Sequence, residues 1–139
     1  MPVPAEYQRA SDDFYHYLVD ARDTASLWST HVTYTMTQGV FQTFRCRLSI
    51  EDAILFANVL PICLRALFVT DWDTKEPQKS FADREEMMRD VRSLREDHNF
   101  STETAIKDVA AALRRHVDEK AFDHVLAQLP EGAIDFWQV

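Results

Sequence analysis

The chain has 139 residues, enough for one domain to bury a continuous core without disulfides or a structural metal. Hydrophobic residues make up 46% of it and charged residues 27%, while only 2 Gly and 5 Pro are available for tight turns, which argues against an all-β fold. Its 23 Asp and Glu outnumber its 15 Lys and Arg, giving a formal net charge of −8. Generic nucleic-acid binding is therefore excluded as a first hypothesis, because phosphate contacts need a basic face.

The sequence predicts a cytoplasmic protein with no membrane partner. The first ten residues contain neither the basic nor the apolar region of a signal peptide. Residues 53–69 are strongly apolar, but they are shorter than a membrane span and are interrupted by Pro61 and Arg65, which favours two buried helices. Cys46 and Cys63 lie in apolar stretches without a CxxC motif, so we expect two reduced, structural thiols.

Helix signals begin at Ser11. This serine is a candidate N-cap for a first helix over 12–22, with acidic residues in its first turn. The Thr-rich stretch 24–35 is predicted to be a loop leading into a second helix over 33–47, whose apolar residues share one face. These patterns predict two helices joined by a long connection.

The next two helices are predicted from residues that favour the N-terminus of a helix. Ser49 with an acidic residue three positions later forms a capping-box pattern, which predicts a third helix over 50–59. Pro61 suits the first turn of a short fourth helix over 61–68, because its missing N–H would be unpaired there in any case.

A polar, turn-rich segment over 70–80 is predicted to link this first half to a second one. Asp83 is a candidate cap for a helix over 83–96, and a periodic helix follows Ser101 or Thr102. The last clear pattern begins with Asp118 as a cap and ends at a Leu-Pro pair, after which a short segment closes the chain.

The two halves resemble each other. An offset of 69 positions aligns residues 35–69 with 104–138 without a gap. The pairs that stay apolar include Phe44/Leu113, Leu48/Val117, Phe56/Val125, Leu67/Phe136 and Phe68/Trp137. The identical pairs are Thr35/Thr104, Val40/Val109, Arg45/Arg114, Leu60/Leu129 and Pro61/Pro130. We therefore predict an all-α helical bundle of two tandem repeats with three to four helices each. The predicted organisation is an N-terminal arm (1–10), repeat 1 (11–69), a linker (70–80) and repeat 2 (81–139), with both repeats in one compact domain.

Several motifs in a fixed order resemble a bacterial family, the domain of unknown function numbered 2267. They are the RLS at 47–49 before a helix ending in Leu-Pro, the linker Trp-Asp at 72–73, FADREEMMRDV at 81–91 and RRHVDEKAFDHVLAQLPEGAIDFW at 114–137. The resemblance covers about residues 12–138. The family often has Gly before the linker Trp, where this chain has Asp71. The resemblance implies an all-α bacterial cytosolic protein and supplies no activity or catalytic residues.

No residue emerges as catalytic, because the chain lacks HExxH, Walker A, GxGxxG and GxSxG motifs. His116 and His124, with acidic residues close by, could form a metal site. The same charges are explained by favourable interactions with two helix ends. We expect neither a metal nor a cofactor.

Two candidate sites remain. Tyr15, Tyr17, Trp28 and Tyr34 crowd the N-terminal quarter, and we predict that they form a contact surface, because Tyr and Trp are favoured at interfaces. Trp72 and His116 are candidates for a cleft between the repeats. The first surface predicts a non-enzymatic module that binds a protein partner or itself. The cleft predicts, as the alternative, a protein that binds a small molecule or metal.

Overall fold

The computed structural model describes residues 3–139, and all regular structure within that range is helical. The all-α prediction is confirmed. The helices are α1 (Ala5–Gln8), α2 (Ala10–Thr24), α3 (Thr30–Arg45), α4 (Ile50–Ala57), α5 (Ile62–Val69), α6 (Arg84–Ser93), α7 (Ala105–Arg114), α8 (Glu119–Gln128) and α9 (Ala133–Phe136), with a 3₁₀ turn at Glu96–His98.

Three predicted caps are present. The side chains of Ser49, Asp83 and Asp118 accept hydrogen bonds from backbone N–H groups in the first turns of α4, α6 and α8. Pro61 is the N-cap of α5 and separates it from α4. The apolar stretch 53–69 therefore contributes to two short helices, and no helix in the described part of the chain is long and apolar enough to cross a membrane.

Three predicted boundaries were wrong. Ser11 does not cap the first helix, because α2 already begins at Ala10. The Thr-rich stretch is helical from Thr30, because the Ser29 side chain accepts from the N–H of His31 and caps α3 earlier than predicted. Helix α6 ends at Ser93, because Leu94 is extended and Arg95 is left-handed at φ 51°.

Helix α3 lies at the centre of the fold. It packs against α2, α5, α6 and α7, so most of its faces are covered. Its buried positions include polar residues that a surface helix would expose, namely Thr33, Thr35, Thr37, Gln38 and Thr43. Two of these hydroxyls have partners: Thr33 Oγ1 donates to the Ser29 carbonyl over 3.0 Å, and Thr37 Oγ1 bonds the Tyr17 hydroxyl over 2.9 Å.

Each half of the chain packs its first helix against the second helix of the other half. The first helix of the first half, α2, packs on α7 of the second half, and α6 of the second half packs on α3 of the first. Helix α4 contacts α8, its counterpart at the offset of 69. The arrangement is consistent with two tandem repeats, and the buried apolar residues of both halves belong to one core cluster.

Equivalent arginines in the two halves donate hydrogen bonds to equivalent backbone carbonyls. Arg45 Nη1 donates to the Phe68 carbonyl over 2.8 Å, and Arg114 Nε donates to the Trp137 carbonyl over 2.9 Å. Both the donors and the acceptors are 69 positions apart. Each arginine thus links the C-terminal end of α3 or α7 to the C-terminal end of the short helix α5 or α9.

Aromatic side chains from both halves meet in the core. Phe44 and Phe56 come from the first half, and Phe136 and Trp137 from the second. Their ring centroids are 4.8 Å apart for Phe44 and Phe56, 5.3 Å for Phe44 and Trp137, and 5.4 Å for Phe56 and Trp137. Such pairs contribute beyond the area they bury, so the aromatic cluster joins the halves as well as filling the core.

Helices α3 and α6 approach most closely at Gly39. A Cβ added there would lie 2.7 Å from the Val91 carbonyl oxygen and 3.3 Å from the Val91 Cγ1. Glycine normally weakens a helix interior by about 1 kcal/mol relative to alanine. At this position it allows two backbones to come closer than any side chain permits.

We predict that Gly39→Ala destabilises the protein by about 1–3 kcal/mol, although the same change usually stabilises a helix, because the methyl group meets a backbone carbonyl that cannot rotate away. Urea unfolding followed by far-UV circular dichroism measures the effect. Ser11→Ala, at an exposed position of α2, serves as the control and should change stability little. A Gly39→Ala variant as stable as the control would show that α3 and α6 can separate at no cost.

Candidate functional site

The predicted aromatic surface is only partly present. Tyr15 and Trp28 are exposed, at 57% and 68% of their surface. Tyr34 is half-buried and packs edge-on against Phe14, with ring centroids 6.3 Å apart.

Tyr17 was wrongly assigned to this surface, since it is completely buried. Its ring meets the edge of His116, its hydroxyl bonds Thr37, and burial raises its pKa far above the ordinary value. The reason is that α7 covers the face of α2 that carries Tyr17, whereas Tyr15 lies on the open face. Two predicted residues of the surface, Tyr15 and Trp28, therefore remain fully available for contact.

Trp28 has an exposed partner that the sequence did not reveal. Phe100 is 53% exposed and packs edge-to-face against Trp28, with ring centroids 5.4 Å apart. The two residues come from the α2–α3 loop and from the loop before α7, which are far apart in the chain. The signal available in the sequence was a lone aromatic within a polar loop. We call Trp28 and Phe100 the aromatic patch.

The aromatic patch lies within two chain segments that carry no formal charge. Residues 25–44 and residues 98–102 contain no Asp, Glu, Lys or Arg. Close to the two rings, these segments offer Ser and Thr hydroxyls and two histidines. In a chain with 27% charged residues, the immediate sequence neighbours of both rings are thus uncharged, and the charged residues nearest to Phe100 in sequence are Asp97 and Glu103.

The predicted cleft was wrong, because Trp72 and His116 line different cavities. Trp72 borders a groove of about 120 Å³ beside the C-terminal end of α3, and His116 borders a cleft of about 440 Å³ beside α2 and the start of α5. The linker is held against the end of α3 by hydrogen bonds from the Lys79 N–H to the Cys46 carbonyl and from Gln78 to the Arg47 carbonyl. His116 follows α7, whose neighbour is α2.

Asp20 is the centre of a polar junction between α2 and the end of α7. Arg115 donates to both of its oxygens, over 2.7 and 2.9 Å, and His116 Nε2 lies 2.8 Å from Oδ2. Arg115 also donates to Thr24 Oγ1 over 2.6 Å. The hydrogen bonds from Arg115 hold the pKa of Asp20 down at about 2, with a smaller contribution from His116. The carboxylate is therefore ionised across the neutral range.

A second junction lies at the end of α3. Arg47, the counterpart of His116 at the offset of 69, is buried, and its Nη2 donates to Asp90 on α6 over 2.9 Å. Lys79 Nζ is 3.5 Å from the same carboxylate oxygen. The first junction thus joins the end of α7 to α2, and the second joins the end of α3 to α6. Their ionisable groups are occupied in structural contacts.

Comparison with known families decides the classification. A family model described as "Uncharacterized conserved protein (DUF2267)" matches residues 14–136. The chain belongs to the DUF2267 family. The match covers almost the whole chain and confirms the resemblance carried by the motifs. No curated protein shows significant similarity to it.

In this DUF2267 chain, the residue before the linker Trp has a left-handed backbone conformation, which glycine adopts readily. Asp71 has φ 56°, a region in which glycine carries no steric cost and in which Asp is better tolerated than most residues. Glycine before the linker Trp, where the family has it, would meet the same backbone requirement.

The metal hypothesis gains no support from the positions of its residues. His116 is engaged by Asp20, whereas His124 is exposed on α8. Among residues 3–139, no three His, Cys, Asp or Glu side chains gather in a way that could hold a metal ion.

We predict that Asp20→Asn lowers the free energy of unfolding by about 1–2 kcal/mol near neutral pH, a value reduced for partial solvent exposure of the carboxylate. Because the folded-state pKa is about 2 and the ordinary value is 3.8, this contribution is fully present above about pH 4 and is lost as the pH falls towards 2.

Urea unfolding of wild type and variant at about pH 7 and about pH 3 measures the difference, which should shrink at the lower pH. Asp23→Asn is the matched control, because Asp23 is exposed and pairs only with its neighbour Arg22 among the described residues. A difference between wild type and Asp20→Asn that does not change with pH would contradict the role assigned to the ionised carboxylate.

Proposed function

We propose that this protein is a non-enzymatic helical module that associates with a second copy of itself through the aromatic patch of Trp28 and Phe100. The observation that carries the proposal is the pairing of two large, exposed aromatic rings drawn from separate loops. Aromatic side chains contribute much of the energy of protein interfaces when they become buried. An exposed pair gains that energy only when another surface covers it.

The composition of the aromatic patch favours a second copy as the occupant. Two copies each carry a formal net charge of −8 and repel each other over most orientations. The chain segments that carry the aromatic patch, 25–44 and 98–102, are free of charged residues, so the two rings themselves can meet with less repulsion than most of the acidic surface. A two-fold arrangement would place the same aromatic pair on both sides of the contact, as isologous interfaces require.

The non-enzymatic part of the proposal rests on how the reactive groups are held. The Cys46 thiol contacts the Thr43 carbonyl over 3.2 Å, and burial raises its pKa, which keeps it protonated and weakly nucleophilic. Asp20 and His116 are bound to each other at the junction described above. Each of these groups has a structural role that accounts for its position.

The alternative, small-molecule binding, is supported by the cleft that His116 borders. Its volume of about 440 Å³ lies within the range of known ligand sites, and its lining mixes apolar residues with charged ones such as Arg9, Asp13 and Arg65. Arg65 is already bound to the carbonyls of Ala57 and Leu60, which leaves fewer groups to orient a ligand. We therefore place this function second.

We predict that the wild-type protein dimerises between about 1 and about 100 μM and that Trp28→Ser shifts it towards the monomer by about tenfold or more in dissociation constant, the loss expected for removing a buried aromatic anchor. Sedimentation equilibrium measures both. Raising the salt from about 50 to about 300 mM should strengthen wild-type dimerisation, because it screens the repulsion between two acidic chains.

Phe100→Ser should act in the same direction as Trp28→Ser. Tyr15→Ser is the matched control, since Tyr15 is exposed to a similar extent but belongs to α2 and not to the aromatic patch. A strictly monomeric wild type would refute self-association, and a dimer equally weakened by the control would refute the aromatic patch. Native mass spectrometry that finds a monomer with a stoichiometric bound molecule would favour the alternative.

A further inference from the structure

The outer face of α4 carries three exposed apolar residues beside the exposed Glu51. Ile50, Ile54 and Leu55 are exposed over 45%, 53% and 39% of their surface, while α4 buries Ala53, Phe56 and Ala57 against the core. Ile50 and Ile54 are one turn apart and share a side of the helix. A surface helix normally places charged or polar residues on this side.

The second half of the same chain shows the normal pattern. At the offset of 69, the counterparts of the three apolar residues are Glu119, Asp123 and His124 on α8, and all three are exposed. The fold therefore accepts charged and polar residues at these positions. The apolar residues of α4 are not required by the packing that the two helices share.

The arginines next to these helices differ in the same way. Arg114 Nη1 forms ion pairs with Glu119 over 3.3 Å and with Asp123 over 2.8 Å. Its counterpart Arg45 faces no acid on α4. It donates instead to the carbonyls of Phe68 and Thr70 and lies 5.1 Å from the ring centroid of Trp72.

The linker adds a groove with an acidic rim beside α4. Ile50 and Trp72 line the groove of about 120 Å³ together with Asp73 and Glu76. Asp71, Asp73 and Glu76 are all exposed, and Lys75 is the one cation within residues 70–76. Arg45 also lines this groove and interacts electrostatically with Glu76 and Asp71, but it is buried and donates to two carbonyls. The exposed Ile50 thus lies beside a groove whose exposed rim carries more carboxylates than cations.

We propose that this α4–linker surface, defined by Ile50, Ile54, Leu55, Trp72, Asp73 and Glu76, binds a basic amphipathic helix of a partner protein. The apolar face of such a helix would cover the isoleucines, and its Lys and Arg would lie against the acidic rim. The charge of the rim selects this occupant. A second copy of this acidic chain or an anionic membrane would bring like charges together at the same place. The surface is made of different residues from the aromatic patch and does not depend on self-association there.

The test uses a fluorescently labelled synthetic peptide of about four helical turns, with Leu on one face and Lys on the other, titrated with the full chain by fluorescence anisotropy. A peptide of the same pattern with Glu in place of Lys is the charge control. We expect the full chain to bind the Lys peptide, to bind the Glu peptide at least about tenfold more weakly, and to release the Lys peptide as salt increases.

The deciding variant is Ile54→Asp, which introduces the residue that α8 has at the equivalent position. If charge alone attracted the peptide, an added carboxylate would tighten binding. If the isoleucine is covered by the peptide, its loss should weaken binding by about tenfold, the effect of removing most of one buried aliphatic side chain. Ile134→Asp on α9 adds the same charge at another isoleucine, which is 55% exposed, and should not weaken binding.

Ile50→Glu, which copies Glu119, provides a second variant should Ile54→Asp fold poorly, as judged by far-UV circular dichroism. Equal or tighter binding by the variants than by wild type would overturn the proposal, and so would equal binding of the Lys and Glu peptides. A dimer that Ile54→Asp dissociates, in a chain that does not bind the Lys peptide, would assign the surface to a second copy instead. Loss of the Trp28-dependent dimer alone would leave this proposal standing.

Discussion

The close contact between Gly39 and the Val91 carbonyl is the constraint on which the rest of the fold depends. It lets α6 of the second half lie directly on α3 of the first, so that α3 is covered on most of its sides. A helix covered in this way has little place for charge, which accounts for the absence of Asp, Glu, Lys and Arg from residues 30–44. Two of its buried threonines carry polarity that is satisfied, Thr33 by the carbonyl of Ser29 and Thr37 by the hydroxyl of Tyr17 on α2.

The first helix of each half packs against the second helix of the other half. Helix α6 covers part of α3, and α2 covers part of α7. The polar junctions at Asp20 and at Arg47 lie at the ends of these contacts and connect elements distant in sequence. Hydrophobic contact stabilises this packing without fixing its register, whereas a two-oxygen contact from Arg115 to Asp20 accepts one alignment of the helices. The halves therefore share one core, and polar contacts at both junctions connect them.

Features of the sequence that act over a few residues predicted the structure well. The caps at Ser49, Asp83 and Asp118 need only the chain that follows them, and Pro61 ends one helix and starts the next by its own geometry. Features set by distant contacts could not be predicted in this way. The burial of Tyr17 depends on α7, the pairing of Trp28 with Phe100 depends on two loops, and the separation of Trp72 from His116 depends on the end of α3 that the linker contacts.

Comparing the two halves separates what the fold needs from what it does not. Where they agree, as in the arginines that bind the carbonyls of Phe68 and Trp137, the shared contact closes each half and is structural. Where they differ at exposed positions, the fold accommodates both solutions within one chain. Asp123 shows that a carboxylate is accepted where α4 carries Ile54. Ile54 keeps 53% of its surface exposed, so burying the rest of it against another molecule would add hydrophobic stabilisation that the carboxylate of Asp123 could not supply.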